Sequence, residues 1–333
     1  MLISLKQLLD HAAENNYAVP AFNINNMEQI HAIISAANQV NSPIIFQISV
    51  NAIKYAGIGY LESLIYKSIK MNPKIPICIH QDHGPTPDFC YKSIQLGYSS
   101  VMIDGSLKPD MKTPASFSYN IEVSRKTVEV AHACGVSVEG EIGCLGSIES
   151  GLYDKNILLT DCNEAKIFVK ETKVDALAIA IGTSHGAYKF KKPPSKDTLS
   201  IETVRKIHAV LPSTHLVIHG ASEVSQEIIE IINENGGDIP ETYGVPISEI
   251  KKIISHGVRK INIDTDLRLA YTASIRKFLQ NNKSVFDMRK YNNEAIKYMK
   301  KICIERFEAF GSSGHASNIR PIELNNMAKL YNK

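Results

Sequence analysis

Eight short apolar segments recur along the chain, and each of them ends in polar residues or glycine. They are rich in Val, Ile, Leu and Ala, and the apolar residues run on instead of alternating with polar ones. Continuous segments of this kind are typical of parallel strands that are covered on both faces. The segments cover residues 17–25, 43–49, 75–84, 100–106, 136–143, 176–186, 215–222 and 260–265.

Stretches with helical periodicity lie between these segments, with a cap residue at the start or a glycine at the end of several of them. Strands that alternate with helices predict a parallel sheet, and eight such units predict a closed (β/α)8 barrel. A doubly wound sheet is the alternative, but no G-x-G-x-x-G turn follows the first segment. The clearest helical stretches are residues 26–40, 120–135, 201–211 and 225–237.

The length of 333 residues lies within the size range of one α/β barrel, and 44% hydrophobic residues can bury a large core. We therefore expect residues 1–333 to form a single TIM-barrel domain. Its last part, from about residue 284 to 333, is polar and helical and is expected to pack as a C-terminal extension on the barrel or on a neighbouring subunit.

The composition also bears on location and partners. A net charge of +3 without a basic run gives no electrostatic case for nucleic-acid binding. There is no stretch of eighteen apolar residues and no signal-peptide pattern at the N-terminus, so no membrane partner is expected. The six cysteines are scattered without a Cys-x-x-Cys pair, which favours reduced thiols. The chain is expected to be cytoplasmic.

Ionisable or amide side chains stand at the C-terminal end of nearly every predicted strand, whereas the strand starts are mostly apolar. In a TIM barrel the active site is built from these C-terminal ends. We therefore predict an active site there. The residues at these positions are Asn23, Asn25, Ser49, Asp82, His83, Asp104, Glu139, Glu141, His185, His219, Asn262 and Asp264.

Three histidines, His83, His185 and His219, follow the third, sixth and seventh segments, and a glycine follows each. A single His-Gly pair is a weak signal because loop histidines are common. Three at strand ends of one barrel converge in space, and three imidazoles with an open position are typical of catalytic zinc. We predict that these histidines bind a catalytic zinc ion.

Carboxylates accompany the predicted metal ligands. Asp82 adjoins His83 in sequence, and we expect it to point away from the metal and to act as an acid/base. Asp104 and Glu141 offer hard oxygen donors, either for a second metal position or as supports for the histidines, and Glu139 suits the second role. For Asp104 the alternative is a turn-forming Asp-Gly pair.

Small residues after the seventh and eighth segments suggest a phosphate site, because backbone N–H groups can approach an anion closely there. A tight turn is the alternative. A Schiff-base mechanism would need a lysine on a strand, and Lys260 only starts the eighth segment, so we favour metal-assisted chemistry next to a carbonyl. The predicted phosphate residues are Gly186, Gly220, Ala221, Ser222, Asn262, Ile263, Asp264 and Thr265.

Longer motifs carry a family resemblance. "PAFNINNMEQ", "QDHG", "VEGEIG", "IGTSHGAYKF", "GGDIPETYGVP" and "GVRKINIDTDLRLA" resemble the class II, zinc-dependent fructose-1,6-bisphosphate aldolases, on the branch that includes Calvin-cycle enzymes. The resemblance implies reversible cleavage of fructose 1,6-bisphosphate to dihydroxyacetone phosphate and glyceraldehyde 3-phosphate in glycolysis and gluconeogenesis. The alternatives are cleavage of tagatose 1,6-bisphosphate or sedoheptulose 1,7-bisphosphate, and a non-catalytic barrel that binds a sugar phosphate.

The resemblance also implies roles for single residues. The three histidines would bind zinc, Asp82 would shuttle the proton of the aldol hydroxyl, and Asp104 with Glu141 would form a second, mobile metal position. The phosphate residues above would hold the dihydroxyacetone phosphate half. It further implies a Na⁺ or K⁺ ion near the Gly186 and Gly220 carbonyls and a dimeric or tetrameric homo-oligomer.

Three implied residues lie elsewhere in the chain. Ser49 would lie near the aldehyde product, Arg259 would reach the far phosphate across a subunit boundary, and Glu149 would handle the C–H proton from a flexible loop. The chain departs from its branch at Val50-Asn51, where relatives carry Arg-Gly, which weakens the expected contacts to the aldehyde-side phosphate.

Overall fold

All eight apolar segments form strands in the computed structural model, which describes residues 1–143, 159–183, 186, 190, 194 and 199–332. The strands are β1 (Val19–Asn23), β2 (Ile44–Ser49), β3 (Ile77–Gly84), β4 (Ser100–Ile103), β5 (Ser137–Ile142), β6 (Ala176–Ile179), β7 (His215–Ile218) and β8 (Val258–Ile263). Each strand pairs in parallel with the next one in the chain, and β8 pairs with β1. The predicted closed (β/α)8 barrel is confirmed.

Helices surround the barrel, and local sequence explains where several of them begin. Asn26 Oδ1 accepts a hydrogen bond from Gln29 N (2.9 Å) at the start of α2, which stabilises the first turn. The helices are α1 (Leu5–Glu14), α2 (Met27–Val40), α3 (Val50–Ala56), α4 (Tyr60–Met71), α5 (Pro87–Gln95), α6 (Phe117–Ala133), α7 (Cys162–Thr172), α8 (Ile201–Val210), α9 (Gln226–Glu234), α10 (Ile247–Ile254), α11 (Thr265–Asn281), α12 (Met288–Ala309) and α13 (Leu324–Tyr331).

Side chains of each strand alternate between the barrel interior and the layer that contacts the helices. On β8, Ile261 and Ile263 belong to the large outer core, whereas Lys260 and Asn262 bond to each other inside the barrel. The barrel interior is apolar at the N-terminal ends of the strands, and α1 closes this end with fully buried leucines. This inner cluster contains Leu5, Leu8, Leu9, Val19, Ala21, Ile45, Cys78, Met102, Ala176, Ala178 and Val217.

The C-terminal helices extend this arrangement. Helix α12 packs against α2 and α11, and α13 packs against α6. The described helices include none with the length and apolar character that a membrane crossing requires. Helix α12 therefore lies beside the helices that follow β1 and β8, and α13 lies beside the helix that follows β4.

Candidate active site

Two overlapping groups of side chains that could hold a metal ion lie at the C-terminal end of the barrel. Asp82, His83 and His219 form the first group, and His83, Asp104 and Glu141 form the second. Within each group the candidate ligand atoms lie within 4.8 Å of one another. Residues from β3, from the turn after β4, from β5 and from the turn after β7 thus meet at one place, as the strand-end pattern predicts.

A bulge in β3 brings two sequence neighbours to this place together. In a regular strand Asp82 and His83 would point to opposite faces. The pairing of β3 with β4 shifts between Gln81 and Gly84, and His83 has a φ of 48°. A Cβ on Gly84 would lie 2.6 Å from Cys90 Sγ, so glycine is required behind the bulge. As a result Asp82 Oδ1 lies 3.9 Å from His83 Nε2, and the expectation that Asp82 points away from the metal position is wrong.

The inner nitrogens of two histidines face each other. His83 Nε2 and His219 Nδ1 are 3.1 Å apart. Two nitrogen ligands at ~2.05 Å from a tetrahedral zinc ion lie ~3.3 Å apart, so the pair already has nearly the spacing of zinc ligands. Nitrogen donors with this spacing fit zinc, which prefers imidazole and thiolate ligands.

The outer nitrogens of both rings contact carboxylates. His83 Nδ1 lies 2.9 Å from Asp104 Oδ2, and His219 Nε2 lies 2.8 Å from Glu139 Oε1. When the outer nitrogens carry the hydrogens, the inner ones present lone pairs to a cation, which is the usual arrangement around a bound metal. Burial lowers the pKa of His83, but the charges of Asp82, Asp104 and Glu141 outweigh it and raise that pKa to about 10.

The second group contains two carboxylates with opposite tendencies. Burial raises the pKa of Asp104, but the hydrogen bond with His83 and the charge of His83 lower that pKa overall. Ser106 Oγ also donates a hydrogen bond to Asp104 (2.6 Å). Burial and the neighbouring charge of Asp104 raise the pKa of Glu141 well above its usual value. A divalent cation between them would relieve this repulsion, because it favours both ionised forms.

An amide pair supports Asp82, and only one of its members, Asn23, is among the predicted strand-end residues. Asn23 Nδ2 donates to Asp82 Oδ2 (3.4 Å), and Gln47 Nε2 donates to Asn23 Oδ1 (2.8 Å). Asp82 Oδ1 is buried and accepts no hydrogen bond from any residue that the structure describes. One carboxylate oxygen is therefore held in place, and the other faces the candidate metal position, where it would suit an acid/base role. Gln47 is visible in the sequence only as a polar residue inside an apolar segment.

The sequence analysis placed Lys260 at the start of the eighth strand, but β8 begins at Val258. Its side chain is completely buried, and its ammonium contacts Glu139 Oε2 (3.0 Å) and Asn262 Oδ1 (2.7 Å). A lysine therefore does lie on a barrel strand, contrary to the prediction. Its contacts with Glu139 and Asn262 occupy the amine group inside the barrel, which argues against a nucleophilic role.

The predicted phosphate loop after β7, residues 220–222, is held in place by a side chain from a neighbouring helix. Gly220 has a φ of 64°, and Ala221 and Ser222 are buried. Asp266, in the first turn of α11, accepts hydrogen bonds from Glu223 N (3.2 Å) and Val224 N (3.0 Å). Val224 has a φ of 53°, which is strained for a β-branched residue. The loop is thus fixed by a carboxylate that the sequence reading did not single out.

An arginine completes this support. Arg306, on α12, is buried, and its guanidinium donates to Asp266 Oδ2 (3.1 Å) and to Glu223 Oε2 (2.7 Å). The C-terminal extension therefore contacts the loop directly through the half-exposed ion pair with Glu223, and indirectly through the buried ion pair with Asp266.

The end of β8 supplies another candidate anion site. Helix α11 begins at Thr265, so its first N–H groups lie beside Asn262 and Asp264, where helix N-termini favour anions. Ile263 contributes backbone only, since its side chain lies in the outer core. Gly186 is half-buried with a φ of 84°.

The remaining predicted residues have different outcomes. Ser49 ends β2 in register with Asp82, and its Oγ accepts a hydrogen bond from Ala52 N (3.1 Å). Arg259 is buried in the N-terminal half of β8, where it donates to the carbonyls of Ile254 (2.9 Å) and Tyr17 (3.4 Å). At ~3.3 Å per residue it lies roughly 16 Å along the strand from Asp264, so the structure does not place it at the site. His185 and Glu149 lie outside the described residues.

The chain is similar to several known proteins. A family model described as Fructose-bisphosphate aldolase class-II matches residues 3–315. A fructose-bisphosphate aldolase from Pseudomonas aeruginosa is 58% identical, over 99% of this chain and 97% of that protein. The corresponding protein of Xanthobacter flavus is 56% identical over the same shares, and a class 2 enzyme from Synechocystis is 52% identical over 100% and 96%. The solved structure of an aldolase from Escherichia coli has a TM-score of 0.73 at 27% identity, covering 95% of this chain and 100% of that one.

Proposed function

The chain belongs to the class II fructose-bisphosphate aldolase family, and on that premise we propose how its residues perform the reaction. The family is metal-dependent and acts on a sugar bisphosphate, and the enzyme is a carbon–carbon lyase. We assign a zinc ion to His83, His219 and, from the sequence pattern, His185. The substrate is fructose 1,6-bisphosphate, and the products are dihydroxyacetone phosphate and glyceraldehyde 3-phosphate.

One observation carries this assignment. His83 Nε2 and His219 Nδ1 face each other at 3.1 Å while carboxylates hold both outer nitrogens. Two imidazoles oriented in this way need a cation or a proton between them, and three nitrogen ligands with an open position suit catalytic zinc. When bound there, zinc supplies a Lewis acid that polarises the substrate carbonyl.

Asp82 is the acid/base in this proposal. During cleavage it takes the proton from the C4 hydroxyl as the C3–C4 bond breaks, so that C4 becomes the aldehyde carbon. The electron pair of that bond stays on the dihydroxyacetone phosphate half, which then takes up a proton at C3. Asp82 Oδ1 suits the role because Asn23 holds only the other oxygen. By resemblance we assign the C3 proton to Glu149.

Backbone groups hold the phosphate of the dihydroxyacetone half. Gly186, the loop Gly220, Ala221 and Ser222, and the start of α11 at Thr265 offer N–H donors where the chain is free of large side chains. Asn262 and Asp264 lie beside them and suit the substrate hydroxyls. Ser49 is assigned to the aldehyde side.

Four further features stay proposals. Asp104 and Glu141 form a second divalent position, supported by the shared contacts with His83. A Na⁺ or K⁺ ion near the carbonyls of Gly186 and Gly220, and assembly into a homo-oligomer, follow from the resemblance. A cytoplasmic location is consistent with the five described cysteines, none of which forms a disulfide.

An aldolase assay with and without a chelator tests the proposal. Complete metal removal should abolish cleavage, and zinc should restore it. Activity that persists without any metal would overturn the assignment. A comparison of kcat/KM on fructose 1,6-, tagatose 1,6- and sedoheptulose 1,7-bisphosphate tests the substrate, and a preference for tagatose bisphosphate would contradict the choice.

A further inference from the structure

A buried lysine connects the two halves of the candidate site. Lys260 and Glu139 are both completely buried, and Asn262 is nearly so. The Lys260 ammonium contacts Glu139 Oε2 at 3.0 Å and Asn262 Oδ1 at 2.7 Å. Burial of an ammonium and a carboxylate has a large desolvation cost, and an apolar pair of similar volume often gives an equal or greater stability. The lysine therefore calls for an explanation other than stability.

Glu139 connects Lys260 to His219, a proposed zinc ligand. Its Oε1 lies 2.8 Å from His219 Nε2, while its Oε2 faces Lys260 and, at 3.5 Å, His80 Nε2. The carboxylate thus has separate oxygens for the lysine and for the histidine. Partners of this kind fix the tautomer and the ring orientation of a metal-binding histidine.

Asn262 connects Lys260 to the part of the site that is proposed to hold the substrate. An ammonium has only hydrogen-bond donors, so the Asn262 atom that faces it must be the carbonyl oxygen. The two N–H donors of the amide then point away from Lys260. At the end of β8, beside the start of α11, those donors are available to an oxygen of a ligand.

We propose that Lys260 is a positioning residue that orients His219 through Glu139 and sets the direction of the Asn262 amide. The inference rests on the proposed function, since it takes His219 as a zinc ligand and Asn262 as a substrate contact. It assigns to one side chain a joint effect on metal affinity and substrate affinity. Lys260 itself touches neither the reacting atoms nor the metal position in this assignment.

Lys260→Met tests the inference because methionine keeps the length of the stem and removes the charge. Zinc affinity is measured by competition with a chromogenic chelator, and we expect it to fall about 10–100-fold. At saturating zinc we expect KM for fructose 1,6-bisphosphate to rise roughly tenfold, with a smaller change in kcat. Lys6→Met is the matched control, since Lys6 pairs with Asp10 at the opposite end of the barrel (2.9 Å), and both affinities should stay unchanged.

A second pair of variants covers the case in which Lys260→Met does not fold. Glu139→Gln and the double variant Glu139→Gln/Lys260→Met leave no unpaired buried carboxylate. Both variants lack the Glu139 charge, and only the double variant also lacks the donor that orients Asn262, so the double variant should have the higher KM. Equal KM values for the two would overturn the inference.

The remaining outcomes are also decisive. Wild-type zinc affinity and KM in a folded Lys260→Met variant would refute the positioning role. If the wild-type protein itself fails to bind zinc or to cleave the sugar, the proposed function fails instead. Borohydride treatment with dihydroxyacetone phosphate should leave Lys260 unmodified, and a reduced adduct on it would assign it a covalent role in place of the proposed one.

Discussion

The carboxylate of Asp266 offers a direct test of how the phosphate loop is held. It accepts hydrogen bonds from two successive backbone N–H groups, those of Glu223 and Val224, and pairs with the buried guanidinium of Arg306. Asp266→Asn keeps the shape and removes one acceptor. If the asparagine oxygen faces Arg306, its NH₂ group meets the N–H of Val224, and two donors face each other.

The expected loss of stability in Asp266→Asn follows from the burial of this ion pair. Asp266 and Arg306 side chains are 2% and 5% exposed, and loss of one charge from such a pair destabilises by about 3–5 kcal/mol. For a chain of this length that corresponds to a melting temperature lower by about 4–7 °C. The left-handed backbone of Val224, held against a strain of about 1–3 kcal/mol, is then free to relax. We expect KM to rise about 10–100-fold through the displaced loop, with kcat changed less.

Asp175→Asn is the matched control. Asp175 is also a buried carboxylate that accepts a backbone N–H, from Val138 (2.8 Å), and it contacts His132 and Tyr331 at the N-terminal end of the barrel. Both variants should melt earlier, and only Asp266→Asn should raise KM and speed hydrogen exchange of the loop amides. A rise in KM in both variants, or in neither, would refute the reasoning.

Three other predictions concern single side chains. Asp82→Ala should retain zinc and lose cleavage by about 10²–10⁴-fold in kcat/KM, so turnover like the wild type would contradict its role as acid/base. Burial raises the pKa of Asp10, but His215 and Lys6 lower that pKa overall. Ionised Asp10 therefore stabilises the fold above the unfolded pKa of ~3.9, and this stabilisation is lost as pH falls through the folded pKa. Melting curves should therefore show Asp10→Asn less stable than wild type at neutral pH, by at most ~1 kcal/mol because Asp10 is 41% exposed, with the gap closing in acid. Among the described thiols Cys134 is exposed and should react first with a maleimide, whereas burial raises the pKa of three others, which should react only after unfolding: Cys78, Cys90 and Cys303.

Much of the fold and part of the site could be predicted because parallel strands leave a strong pattern. Continuous apolar segments located all eight strands, and the barrel geometry then brought His83, His219, Asp104 and Glu141 together. Neither step needs knowledge of side-chain conformation. The direction of Asp82 was wrong for a physical reason, since a single bulged residue reverses the alternation on which the expectation depended.

The other errors come from strand boundaries and parity. Lys260 was assigned to the start of the eighth strand, and a difference of two residues moved it into the interior. Arg259 has the opposite parity and lies low on the strand, where it donates to backbone carbonyls, and its contact with a phosphate across a subunit boundary stays a prediction. Asp266 and Arg306 come from two helices of the C-terminal region, and no local pattern shows that their side chains meet.

The alternation along β8 has an evolutionary consequence. Lys260 and Asn262 share one face of the strand, and Arg259 is anchored to the carbonyls of Tyr17 and Ile254 on the other. A substitution in β8 alters one contact, whereas gain or loss of one residue would turn the whole interior set outward. Because Arg259 is bonded to these two carbonyls, it opposes a shift in the register of β8. We expect homologous lineages to vary β8 in composition while keeping its length, and a one-residue deletion to destabilise the fold by placing Lys260 in the apolar layer that Ile261 and Ile263 occupy.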